Sequence, residues 1–564
     1  QRLKRAIIGE QSLECWVMGT WLDWCCRHLS NDSPGRRGSL VVLTRFVQGA
    51  LACCLLASGA SACSDDTELP LPSAPAPSST GVEPAELQFS PCDIVTEQGS
   101  QPNQAECAQV EVPLRRDASE GRRLNLSLKR YRRTAQPRGQ LWLIAGGPGS
   151  AASDFEVDSN FYLSLGQDLE LYFLDHRGAG RSERLSCPQQ ENSSSAFGQV
   201  IRGEEWSSCS NTVQAQWGAD LAGFSTTEAA FDLGEIIARA QREDEPVFIY
   251  SVSYGTYLTQ RYLQLFPQQA SGIILDSICA PGNCDLLIEL DRQSDRIGQA
   301  IFSACADDAI CSGALGADPW QRLIDVARSL SSGHCSSIGW SAVTLRQVLG
   351  MMVTTAGLRD YMPAVVRRIE RCSDIDVAAL NHFRDYMSGI DTEANSFSQV
   401  LHANIVLSEL GTRPLPTTAD VERNVSERFV SMDAGVRLAG ALGTWPTYAP
   451  DRYVGSLADT SVPMLMLHGT LDPQIPIESA RAVGQAYRAA HQQFVEMPFS
   501  AHDTLMQSLL DEDGNTCGAE LVRQFLKDPL SSLDDSCTSR VLKLNFAGHP
   551  VISTLLFGTE EAWY

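Results

Sequence analysis

Several short apolar runs, each ending in a loop of small or charged residues, set the strongest limit on what this chain can fold into. Leu141-Trp-Leu-Ile-Ala145 ends in Gly146-Gly147-Pro148-Gly149, and Leu169-Glu-Leu-Tyr-Phe-Leu174 ends in Asp175-His-Arg-Gly-Ala-Gly-Arg-Ser182. Pro246-Val-Phe-Ile-Tyr250 ends in Ser251-Val-Ser-Tyr-Gly255, followed by a helix-like stretch from Thr256 to Phe266. Three strand ends with special loops predict one shared rim of a parallel sheet, the edge where open α/β structures bind ligands.

Ser253 stands at a strand-to-helix turn. A sharp turn there needs small neighbours, since a bulky Cβ would collide with strand and helix; Gly255 meets the need in full and Ser251 in part. Read alone, the pentad is equally a serine that happens to follow a buried strand. The Gly146–Gly149 loop is either a plain turn or half of an oxyanion hole, with N–H groups from Gly147 and from Tyr254 as its donors.

A serine nucleophile also needs a base and an acid to orient it, in the chain order serine, acid, histidine. Of nine histidines, His28, His491 and His549 lie in the N-terminal region, a helix-like stretch and the C-terminal tail. His176, His334, His382, His402 and His468 precede the best acid or sit in other contexts. His502 remains, in the loop after Gln493-Phe-Val-Glu-Met497, while Asp472 follows Val462-Pro-Met-Leu-Met-Leu-His468. Each therefore follows its own strand.

With these residues in view, the chain resembles the α/β-hydrolase family of proline iminopeptidases and tripeptidyl aminopeptidases, in particular its secreted branch with a TAP-like C-terminal segment. The resemblance runs from about Val112 to Val541. It rests on Gly146–Gly149, Asp175–Ser182, Thr226-Thr-Glu-Ala-Ala-Phe-Asp232, Ser253–Thr256, Phe266-Pro267, Leu275-Asp276, His468–Asp472 and His502. It implies an α/β-hydrolase fold, a mostly parallel sheet flanked by helices, with an inserted helical cap. It also implies a triad of Ser253, Asp472 and His502, an oxyanion hole at Gly147 and Tyr254, and no cofactor or metal. Departures are Ser251 for the usual first glycine, Ala145 where many relatives have histidine, and Ala501 where glycine often precedes the histidine. Leucines stand at 407 and 442, where secreted relatives carry cysteines, so an apolar contact is expected in place of that disulfide.

Residues 311 to 455 have helical rather than strand-like periodicity and read as the cap. In the resembled aminopeptidases acidic cap residues hold the substrate's α-ammonium, and Glu409 falls where such an acid is expected. Its other reading is an exposed helix charge. The expected division is 1–63 extension and export signal, 64–87 disordered linker, 88–310 first part of the core, 311–455 cap, and 456–564 second part of the core.

The formal net charge is −24; the first 63 residues carry 7 basic against 4 acidic side chains, so the remainder stands near −27. Such a surface repels nucleic acid. From Arg45, a basic flank, an apolar run and small residues up to Cys63 read as an export signal. Cys63 is either a lipidation site, attaching the protein to a membrane, or lies beside an ordinary cleavage site. Twelve cysteines follow it, in close sequential pairs: Cys92–Cys107, Cys187–Cys209, Cys279–Cys284, Cys305–Cys311, Cys335–Cys372 and Cys517–Cys537. An even set in an exported chain predicts disulfides. Three functions stay open: a serine aminopeptidase acting on peptides with a free N-terminus, an esterase, lactonase or amidase for small molecules, and a non-catalytic binding protein.

Overall fold

The computed structural model describes residues 86–118, 121–388 and 396–564. The expected export signal, Cys63 and nearly all of the linker lie outside the described residues.

Among the described residues there are nine strands: β1 Ser90–Thr96, β2 Gly99–Pro113, β3 Arg123–Tyr131, β4 Gly139–Ile144, β5 Leu169–Leu174, β6 Val247–Val252, β7 Gly272–Asp276, β8 Met464–Gly469 and β9 Gln492–Met497. They form one sheet in the order β1-β2-β3-β5-β4-β6-β7-β8-β9. Pairing is antiparallel from β1 to β5 and parallel from there to β9. Every residue of β4 to β8 is buried, as expected of parallel strands covered on both faces. Their side chains alternate: Trp142, Tyr172, Ile249, Ile273 and Met466 enter one core, and Leu143, Phe173, Phe248, Ile274 and Leu467 enter the other.

From β4 the chain moves to β5 on one side and then to β6 on the other. That reversal opens a crevice at the carboxyl ends of the strands. The Gly146–Gly149 loop leaves β4 there, and Ser253 leaves β6.

Two motifs quoted above are joined by a buried ion pair. Arg177 donates to Asp232 through Nε and Nη2, both at 2.7 Å, and also to the carbonyls of Leu114 and Gly223. Both side chains are about 1% exposed. The loop after β5 is thereby tied to the helix Thr226–Ala240.

Helices fill the segment between β7 and β8. Those over Glu289–Asp307, Pro319–Ser331, Ala342–Met352, Met362–Arg371 and Asp374–Ser388 share a core around Phe302, Leu323, Leu349, Val365 and Phe383. Two expected boundaries move as a result. The helical layer opens at Glu289 rather than 311, because Ile297, Ile301 and Phe302 of that first helix pack into its core. The last residues of the chain also leave the sheet: Phe546, Leu556, Phe557 and Trp563 belong to the helical core.

The six disulfides join Cys92 to Cys107, Cys187 to Cys209, Cys279 to Cys284, Cys305 to Cys311, Cys335 to Cys372, and Cys517 to Cys537. Leu407 is fully buried and Leu442 packs against the same apolar cluster.

Candidate active site

Ser253 sits between β6 and the helix Tyr254–Leu265, with φ 57° and ψ −130°. A side chain in that region costs about 1–3 kcal/mol, which the surroundings must offset. The turn is held by Ser253 N–H donating to Asp276 O at 3.0 Å and by Thr256 N–H donating to Ser253 O at 2.9 Å. Gly255 is required by close approach: an added Cβ would lie 2.5 Å from Ile144 O and 2.8 Å from Ala145 O, at the end of β4. Ser251 has no such conflict. Its Oγ donates to Ile274 O on β7 at 3.1 Å, so a hydroxyl is accommodated where relatives use glycine.

The loop after β4 reaches the same point. A Cβ on Gly146 would come within 2.9 Å of Ser253 Cβ and 3.4 Å of its Oγ, so only glycine lets the backbone pass this near the hydroxyl. Gly147 follows with φ 108°, and Tyr254 is the first residue of the helix after Ser253, where the backbone N–H has no intrahelical acceptor. His402 steadies this loop from the helical segment: its Nδ1 lies 2.9 Å from Pro148 O. Burial pushes the His402 imidazole down to about 4, so it is neutral and donates. Ser398 N–H donates to Gly149 O at 2.9 Å.

His502 and Asp472 meet in the crevice. Nδ1 of His502 lies 2.8 Å from Asp472 Oδ2, while Asp472 Oδ1 accepts from the backbone N–H of Gln474 at 2.8 Å and Ile475 at 3.0 Å. Burial alone would raise the Asp472 carboxyl; the charge and hydrogen bond of His502, aided by His468, outweigh it and hold the group below its ordinary range. An ionised Asp472 keeps the His502 proton on Nδ1 and leaves a lone pair on Nε2. Both His502 Nε2 and Ser253 Oγ are buried atoms without a hydrogen-bond partner. They are the two atoms between which a proton must pass to activate a serine.

Asp276, at the end of β7, positions the histidine loop. Its carboxylate accepts from Thr504 N–H at 2.8 Å and Leu505 N–H at 2.7 Å, and from Tyr250 Oη at 3.1 Å. His468 bridges two elements, accepting from Ile278 N–H at 3.0 Å while its Nε2 lies 3.0 Å from Ile475 O. Three supporting residues, Asp276, His402 and His468, thus escaped the reading of roles from the sequence. Most of their partners are backbone groups, which carry no residue-type signal.

Of the two readings of Glu409, the exposed helix charge does not hold. Its side chain is 1% exposed rather than solvated. Its carboxylate is engaged within the protein: Oε1 accepts from Thr226 N–H at 2.8 Å and Tyr448 Oη at 2.7 Å, and Oε2 from Tyr257 Oη at 3.3 Å. Arg261 stands 3.7 Å away and supplies the opposite charge. Glu409 therefore ties the helical segment to the helix behind Ser253.

Residues 141–303 match the alpha/beta hydrolase fold family, and residues 435–537 match the TAP-like protein family. The serine protease Hip1 of Mycobacterium tuberculosis is 28% identical over 259 residues, covering 43% of this chain and 49% of Hip1. The tripeptidyl aminopeptidase of Streptomyces lividans is 25% identical over 211 residues, 34% of this chain and 39% of that enzyme. The chain thus spans about half or less of the length of these relatives.

Proposed function

We propose that this chain, whose residues 141–303 match the alpha/beta hydrolase fold family and 435–537 the TAP-like family, is a serine hydrolase and, more narrowly, an exported aminopeptidase acting on peptides with a free N-terminus. The observation that carries the catalytic part is the Asp472–His502 pair, whose second nitrogen is unpartnered in the crevice that also holds the unpartnered Ser253 hydroxyl. Likeness to a tripeptidyl aminopeptidase and a serine protease supports amide substrates. The six disulfides suit an oxidising compartment, and attachment through Cys63 belongs to the same proposal.

In this mechanism His502 Nε2 takes the Ser253 proton as Oγ bonds to the substrate carbonyl carbon. Asp472 stabilises the imidazolium that results. Backbone N–H groups of Tyr254 and Gly147 receive the developing oxyanion; one such donor is worth about 3 kcal/mol of barrier. The imidazolium then protonates the leaving amine, and the C–N bond breaks to give an acyl-enzyme on Ser253. Water, deprotonated by His502, attacks that ester and releases the carboxylate product.

The test compares chromogenic amides with free and acetylated N-termini, and short-chain esters, on the enzyme and on Ser253→Ala. Turnover of free-amine amides that is lost on acetylation and in Ser253→Ala is expected. Ester turnover without amide cleavage contradicts the aminopeptidase reading and favours a small-molecule hydrolase. With Glu409 engaged inside the protein, Glu409→Gln is expected to lower stability more than to raise KM for free-amine substrates.

A further inference from the structure

A cavity of about 170 Å³ lies between the short helix Ala356–Arg359, the stretch that follows the His502 loop, and the C-terminal segment. Ser253, Asp472, His502 and the Gly146–Gly149 loop do not line it. One water needs on the order of 10–15 Å³ by the same measure, so an organic group fits. Its walls are largely apolar, with Leu358, Leu509, Leu542 and Ile552 among them.

Five charged residues are among its lining, Arg359, Asp360, Asp511, Glu512 and Lys543, and the first two are the ones with buried polar atoms that lack a hydrogen-bond partner. Arg359 is 3% exposed; its Nη2 donates to Phe499 O in the loop that carries His502, whereas Nε and Nη1 have no hydrogen-bond partner. Its neighbour Asp360 accepts from Asn545 N–H at 2.8 Å through Oδ2, and its Oδ1 is buried without a hydrogen-bond partner. Arg359 Nε and Asp360 Oδ1 form a loose ion pair at 3.9 Å, beyond hydrogen-bond distance, so each keeps hydrogen-bonding capacity for a ligand. Buried polar atoms are paired as a rule, and those left over call for a specific explanation. An apolar cavity with a few convergent polar groups is the ordinary form of a small-molecule site.

We propose that this cavity binds a free apolar α-amino acid. The carboxylate of the ligand takes the unpartnered donors of Arg359, its ammonium takes Asp360 Oδ1, and its side chain lies against Leu358, Leu542 and Ile552. This site is separate from the catalytic crevice and does not depend on which substrate Ser253 attacks.

The test is calorimetric titration of L-leucine into the full chain after Ser253 has been blocked with a fluorophosphonate, so that product binding at the crevice is removed. Two analogues accompany it: 4-methylpentanoate, which lacks the ammonium, and leucinamide, which lacks the carboxylate. Saturable binding of leucine is expected, about tenfold or more weaker for either analogue and for Arg359→Gln, as loss of a charged hydrogen bond demands. Because Arg359→Gln also touches the Phe499 carbonyl and could disturb folding, Ile552→Trp provides the second variant. It fills the apolar part without altering either charge, and it is expected to abolish binding. Ile552→Trp also locates the binding if Ser253 does not react with the phosphonate. The proposal is overturned if leucine shows no saturable binding at millimolar concentration, if both analogues bind as well as leucine, or if Ile552→Trp binds undiminished.

Discussion

His502 owes its usefulness to being held at one nitrogen and free at the other. Asp472 fixes Nδ1 at 2.8 Å, the interactions with His502 hold its carboxyl ionised, and two backbone N–H groups on its other oxygen aim it. Asp472→Asn preserves the shape but places an amide where the imidazole N–H needs an acceptor, which favours the wrong tautomer. A drop in kcat on the order of 10⁴-fold is expected, with little change in KM; steady-state kinetics on one amide or ester substrate checks it. The placement of Ser253, Asp472 and His502 after their own strands was legible in the sequence because each follows its own apolar run. Asp276 and His402 were not: His402 acts on Pro148, 254 residues away, through a carbonyl that any residue could offer.

Strand ends and the helices that meet them make the crevice possible. Gly255 lets the helix Tyr254–Leu265 start against the end of β4, where a methyl group would come within 2.5 Å of a backbone carbonyl. Backbone cannot yield as a side-chain tip does. Gly255→Ala is therefore expected to cost about 1–3 kcal/mol of stability and to displace Ser253, which chemical denaturation and the rate of Ser253 labelling would reveal together. The Arg177–Asp232 pair is a second such joint. Asp232→Ala removes both short charged hydrogen bonds from a buried guanidinium, leaving only Glu228 at 3.9 Å as an acidic partner, and is expected to cost about 3 kcal/mol, read as a shift in the denaturation midpoint. Parallel strands were legible because their runs are apolar throughout and short. The ends of the helical segment were not, since amphipathic helices over 289–307 and 550–557 look alike whether they cover a sheet or one another.

For the molecule as a whole, burial drives titratable groups in opposite directions. His176 and His402 are each pushed down to about 4 from 6.5. The unfolded chain therefore takes up protons below about pH 6.5 that the folded chain refuses, and the stability held above that pH falls as pH drops toward 4. Buried Asp175 and Asp291 are pushed up, again by burial first, so their contribution has the opposite sign and declines as pH rises above about 3.9. The two trends offset in the native protein, and a single substitution separates them. His402→Gln is expected to lose stability less steeply than the parent between about pH 6.5 and 4, by about 1.4 kcal/mol per pH unit, as measured by denaturation at several pH values. An unchanged slope would mean that His402 is protonated in the folded state. The central claim, that Ser253 is the nucleophile activated by His502 and Asp472, is tested most directly by treating the oxidised chain with a fluorophosphonate and mapping the adduct by peptide mass. One adduct on Ser253, formed far more slowly in Asp472→Asn, is the predicted result; a folded sample with no adduct, or an adduct on another residue, would contradict it.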